Sequence, residues 1–177
     1  MAVAPSGDVY VSGTLLQVLR VGADALVPVR TTPDLFGSNG ITLDPKETTL
    51  FVSVYPVGIA AIDLESGQMR YLASPAAMPL YGIDGLYWHE GDLVGIQNGI
   101  QPWRLLRMSL NADATAIEGV RIIEFANAAI TPTTGAIDGN KIHYVGQGPA
   151  PASPPSHFDA PLAPYLGKTV ILTAPLD

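Results

Sequence analysis

The 177-residue sequence contains no cysteine, which excludes disulfide bonds, thiolate metal sites and cysteine nucleophiles. Lysine and arginine total only nine against sixteen acidic residues. They form no cluster, and the net charge of −7 argues against a nucleic-acid partner. No apolar run approaches the roughly 18 residues that a spanning helix needs, so no membrane partner is expected. None of these absences identifies the cellular compartment.

The composition favours a globular fold built from short elements. Hydrophobic residues make up 47% of the chain and charged residues only 14%, a balance that can support a buried core. The 18 glycines and 16 prolines indicate many chain reversals, which suits many short strands. No apolar spacing of three and four residues, typical of amphipathic helices, is visible.

One phrase recurs along the chain: a polar residue, a glycine, a short apolar strand, a turn and a second strand. The polar residues are Asn39, Asp84 and Thr134, which lie 45 and 50 residues apart. The second strands begin at Val9, Leu50, Leu93 and Ile142, at intervals of 41, 43 and 49 residues. Periods of this size, with several short strands in each, predict propeller blades of four strands.

We therefore predict an all-β fold, a single partial β-propeller domain over residues 1–177. It has about four blades of four-stranded antiparallel sheets. The blades are expected at about 1–31, 40–72, 85–124 and 135–177. The fourth lacks a recognisable outer strand, and the proline-rich stretch Gly148–Pro164 is predicted to be a loop. The polar residues that precede glycine are interpreted as turn residues, as is the pair Glu90-Gly91.

Several of these phrases carry a family resemblance. The run Asn39-Gly40-Ile-Thr-Leu-Asp-Pro45 with Leu50-Phe-Val-Ser53, and the run Asp84-Gly85-Leu86, resemble the senescence marker protein/gluconolactonase (regucalcin-like) family of six-bladed propellers. The run Gly95-Ile-Gln-Asn-Gly99 with Pro132-Thr-Thr-Gly135 resembles a bacterial branch of the same superfamily. For that branch, the bacterial cytoplasm or periplasm is the expected location.

The resemblance implies a metal-dependent lactonase that acts on a small-molecule substrate in the central channel. It implies that Asn39 and Asp84 bind a divalent cation, most typically calcium, and that Asp84 is also the catalytic base. Thr134 stands at the matching position of the fourth blade as a further channel residue, and the first-blade position would precede Met1. We therefore expect an incomplete site and poor lactone hydrolysis by this chain alone. If Asn39 and Asp84 share an ion, their oxygens should lie within about 6 Å of each other.

A non-catalytic propeller that binds a ligand or partner through its loops, such as Gly148–Pro164, is the alternative. Asn and Asp before Gly are also common turn residues in any β-protein, and Thr133 and Thr134 could cap a turn. The three histidines, at 89, 143 and 157, show no metal-ligand spacing. Trp88 and Trp103 are expected to pack between blades.

About four blades of a six-bladed ring would leave an open face at the first and at the fourth blade. Exposed apolar faces and unpaired strand edges promote association. The sequence therefore predicts a homodimer or higher oligomer, with the strand Thr169–Thr173 at or near the contact.

Overall fold

The computed structural model describes residues 1–13, 16–75, 78–126, 130–148 and 168–177. These residues form an all-β, four-bladed, propeller-like ring of antiparallel sheets, as the repeat predicted. A short 3-10 helix, Pro33–Leu35, joins the first two blades. The strands are β1 (Ala2–Val3), β2 (Val9–Gly13), β3 (Gln17–Val21), β4 (Leu26–Thr31), β5 (Ser38–Leu43), β6 (Thr49–Val54), β7 (Gly58–Asp63), β8 (Met69–Tyr71), β9 (Ile83–His89), β10 (Asp92–Gln97), β11 (Arg104–Leu110), β12 (Ile117–Phe125), β13 (Thr131–Asp138), β14 (Lys141–Gln147) and β15 (Thr169–Pro175).

Each blade is an antiparallel meander in which strands that follow one another in the chain pair with each other. The orders are β1-β2-β3-β4, β5-β6-β7-β8, β9-β10-β11-β12 and β13-β14-β15. The fourth sheet therefore has three strands among the described residues. Apart from Gly148, the predicted loop Gly148–Pro164 and His157 lie outside those residues.

The first strands of successive blades stand side by side, with β5 packed on β9 and β9 packed on β13. The extensive contacts between sheets in the described ranges link the first blade to the second, the second to the third and the third to the fourth. One apolar cluster fills each of these three junctions. Stability thus depends on burial between neighbouring blades, because a single sheet cannot bury both of its faces.

Trp88 illustrates this packing at the junction of the second and third blades. Its ring stacks on the fully buried Phe51, with centroids 5.8 Å apart and an interplanar angle of 25°. The expectation that Trp88 packs between blades is therefore confirmed.

Glu90 and Gly91 form the hairpin turn after β9, and their φ angles are 50° and 92°. Positive values at both positions suit a two-residue hairpin, and the predicted Glu90-Gly91 turn is also confirmed.

The predicted turns at Asn39, Asp84 and Thr134 are wrong, because all three residues lie inside the innermost strands β5, β9 and β13. The pairing register of each strand shifts at that point. Asn39 and Gly40 fall between the pairs Ser38↔Val54 and Ile41↔Val52. Asp84 falls between the pairs Ile83↔Gln97 and Gly85↔Ile96. Thr133 and Thr134 fall between Pro132↔Gly146 and Gly135↔Tyr144.

Each phrase is therefore a β-bulge, an irregularity that redirects a side chain and interrupts the ladder. Bulges and turns both need backbone that is free of ladder pairing, and both favour a polar residue beside glycine. Composition alone does not separate the two. The bulges in β5, β9 and β13 explain why the polar positions repeat with the blade period.

Across the described ranges, the structure shows no helix with the length and apolarity that crossing a bilayer would require.

Candidate functional site

Asp84, half-buried on β9, lies at the centre of a group of polar side chains at the start of the innermost strands. Its Oδ1 accepts a hydrogen bond from Nδ2 of Asn39 at 2.6 Å, and its Oδ2 accepts one from Nδ2 of Asn98 at 2.8 Å. Asn39 belongs to the second blade and Asp84 to the third, so the first of these bonds crosses a blade junction. Asn98 directly follows β10 in the third blade.

The carboxamide of Asn98 extends this group to the fourth blade and makes a second contact with the second blade. Its Nδ2 also donates to the backbone oxygen of Pro132 on β13, at 2.7 Å. Its Oδ1 accepts a hydrogen bond from the hydroxyl of Tyr55, which follows β6 in the second blade, at 2.8 Å. One side chain thereby joins the second, third and fourth blades.

Thr134 contacts a tyrosine of the third blade, Tyr87. Its hydroxyl lies 3.3 Å from the phenol oxygen of Tyr87, and that oxygen also accepts the N–H of Gly135 at 2.6 Å. Tyr87 borders a cavity of about 350 Å³ between the inner strands of the first three blades. Thr134 itself is exposed, and its role as a channel residue stays a prediction.

The two tyrosines keep their protons at neutral pH. Burial raises the pKa of Tyr55, and the negative charge of Asp84 raises it further. Burial also raises the pKa of Tyr87, an effect that the hydrogen bonds of Thr134 and Gly135 partly offset and the charge of Asp84 reinforces. Both phenols therefore remain neutral hydroxyl groups beside the carboxylate.

The structure brings together the two residues that the sequence singled out, since Asn39 and Asp84 are in direct contact. Their metal-binding and catalytic roles stay predictions. His89 and His143 lie elsewhere: Nε2 of His89 is 3.3 Å from Oδ1 of Asn140, and Nδ1 of His143 is 2.8 Å from the hydroxyl of Thr173. Over the described ranges, no three His, Asp or Glu side chains are close enough to hold a metal ion together.

Sequence reasoning did not assign a role to Asn98, Tyr55 or Tyr87. A signal for Asn98 was present, because Asn98-Gly99 is an Asn-Gly pair like Asn39-Gly40 and ends the run Gly95–Gly99. It falls after the second strand of its blade rather than in the first, so the blade period does not mark it. The two tyrosines carry no comparable signal.

No protein-family model and no curated protein matches this chain. Solved structures do match. A luciferin-regenerating enzyme aligns over 98% of this chain and 59% of its own length, with a TM-score of 0.60 and 13% identity. A chain of a nidogen/laminin complex aligns over 83% of this chain and 57% of its own length, with a TM-score of 0.61 and 15% identity. Hydrazine synthase from Kuenenia stuttgartiensis aligns over 99% of this chain and 53% of its own length, with a TM-score of 0.58 and 17% identity.

The chain thus spans less than two thirds of the length of these structures. At such low identities the likeness establishes the fold and nothing finer. The neighbours include an enzyme and a chain of a nidogen/laminin complex, so similarity of fold does not choose between catalysis and binding. The chain is a β-propeller repeat protein whose polar group around Asp84 lies where three blades meet.

Proposed function

We propose that this chain carries the channel site of a cation-dependent hydrolase that opens lactones. The observation that carries the proposal is the contact of Asn39 with Asp84, at equivalent bulges of neighbouring blades and 2.6 Å apart. Asp84 and Asn39 would hold the cation, and Thr134 would be a further channel residue. A luciferin-regenerating enzyme has a similar fold, so the fold is compatible with catalysis.

The donor set fits a hard cation such as calcium. Carboxylate and carboxamide oxygens are ligand types that calcium prefers. Nδ2 of Asn39 now faces Oδ1 of Asp84, and half a turn of the exposed carboxamide replaces that nitrogen with Oδ1. Two protein ligands leave several positions of the usual six to eight for water and substrate, which predicts weak binding.

A bound cation would act as a Lewis acid that polarises the lactone carbonyl. Asp84 would supply the base. As a water oxygen bonds to the carbonyl carbon, one water proton passes to the Asp84 carboxylate. The ring ester bond then breaks, and this proton passes to the leaving oxygen, which yields the open hydroxy acid. The neutral phenols of Tyr55 and Tyr87 line the region as hydroxyl groups and leave Asp84 as the base.

A non-catalytic propeller that binds a ligand or partner through its loops is the second candidate. One observation favours it: both oxygens of Asp84 already accept carboxamide hydrogen bonds, a satisfied arrangement that a purely structural carboxylate would also show. The described ranges also contain no group of three His, Asp or Glu side chains that could hold a metal ion, which points the same way.

Terbium luminescence tests the site, because bound Tb³⁺ replaces calcium and is sensitised by nearby tyrosines such as Tyr55. We expect the full chain to bind Tb³⁺ in competition with calcium, and Asp84→Asn to abolish binding. Asp138→Asn is the matched control, because Asp138 is exposed at the far end of β13. Equal binding by Asp84→Asn and the wild type would disprove the cation site.

A lactone assay separates the two candidates. Cation-dependent opening of an aldonolactone, even slow, that is lost in Asp84→Asn supports the hydrolase. Cation binding without any turnover above the buffer rate supports the non-catalytic alternative.

A further inference from the structure

Asn98 differs from Asn39 in how completely its side chain is engaged. A carboxamide has two N–H donors. Those of Asn98 are shared between Oδ2 of Asp84 and the oxygen of Pro132, and its Oδ1 accepts from Tyr55. Asn39 is exposed, whereas Asn98 is half-buried among three blades. Asn98 is therefore not free to turn its oxygen toward a cation.

The backbone around Asn98 is held as firmly as its side chain. The N–H groups of Asn98 and Gly99 both donate to the oxygen of Gly82 at 3.0 Å. The N–H of Gly82 in turn donates to the oxygen of Tyr55 at 2.6 Å. These bonds tie the segment before β9 to the segment after β10 and to the second blade. Hydrogen bonds of both the backbone and the side chain of Asn98 thus fix its position relative to Asp84.

We propose that Asn98 is a positioning residue for Asp84, a role that rests on the proposed function. Its bond to Oδ2 orients the carboxylate so that Oδ1 faces Asn39, where the cation would bind. Tyr55 acts through Asn98, because its hydroxyl fixes which end of the carboxamide points to Asp84. The bond to Pro132 couples this orientation to the fourth blade.

The test compares the full chain with Asn98→Ala, Tyr55→Phe and the double variant, by Tb³⁺ titration and thermal unfolding. Loss of a residue that orients a metal ligand typically costs 10–100-fold in affinity. We expect a loss of about that size for Asn98→Ala, and a smaller loss for Tyr55→Phe. The double variant should bind no more weakly than Asn98→Ala, since Tyr55 acts through Asn98.

Asn140→Ala is the matched control. Asn140 lies in the turn after β13, where its side chain contacts His89 and not Asp84. It should keep wild-type affinity even if it lowers the unfolding temperature. Wild-type affinity in Asn98→Ala would overturn the proposal. So would an equal loss of affinity in Asn140→Ala, which would show that any destabilisation weakens binding.

If the wild type binds no Tb³⁺, the proposed function fails, and the role of Asn98 is decided by NMR. The carboxamide ¹⁵N–¹H signals of Asn98 should shift in both Asp84→Asn and Tyr55→Phe. Unchanged chemical shifts of these signals in both variants would show that Asn98 does not orient Asp84.

Discussion

Gly40 lies directly against the backbone of Asp84, across the junction of the second and third blades. A Cβ atom at residue 40 would be 2.6 Å from the backbone oxygen of Asp84 and 2.5 Å from the nitrogen of Leu86. Side-chain carbons do not approach other atoms so closely. The glycine after Asn39 thus lets β5 and β9 approach each other, and this approach puts the Asn39 and Asp84 side chains in contact.

Gly40→Ala should therefore push the two blades apart. We expect a loss of about 1–3 kcal/mol in the free energy of unfolding, the usual cost of overpacking, measured by urea denaturation. Binding of Tb³⁺ should fall with it. Gly13→Ala is the control, because a Cβ atom there would meet nothing within 4 Å. Equal free energies of unfolding for Gly40→Ala and Gly13→Ala would show that the close approach at Gly40 does not stabilise the junction of the second and third blades.

Stability at alkaline pH should depend on Tyr144. This buried residue donates a hydrogen bond to Oε1 of Glu124 at 3.1 Å. Burial, followed by the charge of Glu124, raises the pKa of Tyr144 from 10.0 to about 12. Because the folded pKa is raised, the contribution of Tyr144 is complete below pH 10 and is lost between about pH 10 and 12.

Glu124→Gln removes the charge but keeps the burial, so it should lower the pKa of Tyr144 only part of the way. The pKa of Tyr144 is measured by tyrosinate absorbance during a pH titration, after subtraction of the absorbance of Tyr144→Phe. An unchanged pKa in Glu124→Gln would mean that Glu124 does not act on this phenol.

We also propose that the chain self-associates through the outward faces of its first and fourth blades. Val3 and Leu26 on the first blade are 61% and 55% exposed, and Ile171 on the fourth is 74% exposed. Light scattering should show a homodimer or higher oligomer, and Leu26→Asp or Ile171→Asp should shift it toward the monomer. Val57→Asp is the control, at an equally exposed valine in the turn after β6. A wild type that is strictly monomeric at micromolar concentration would refute the proposal.

The strand positions and the blade period were predictable from the sequence, because both depend on local patterns. Each blade repeats the same short apolar strands between turn residues, as at Leu86 to Trp88 and Leu93 to Ile96. The period also placed Asn39 and Asp84 at equivalent points of neighbouring blades. Their proximity follows from that equivalence, since innermost strands stand side by side around one axis.

The tertiary structure decided three other matters. It showed that Asn39, Asp84 and Thr134 lie in bulges, because bulge and turn differ in pairing with a distant strand and not in composition. It brought Asn98 and Tyr55 to Asp84 from outside the repeat, through contacts 14 and 43 residues apart in the chain. It also placed Thr134 on Tyr87. Such contacts depend on how the blades pack against each other, and one blade's sequence contains no information on the side chains that its neighbours present.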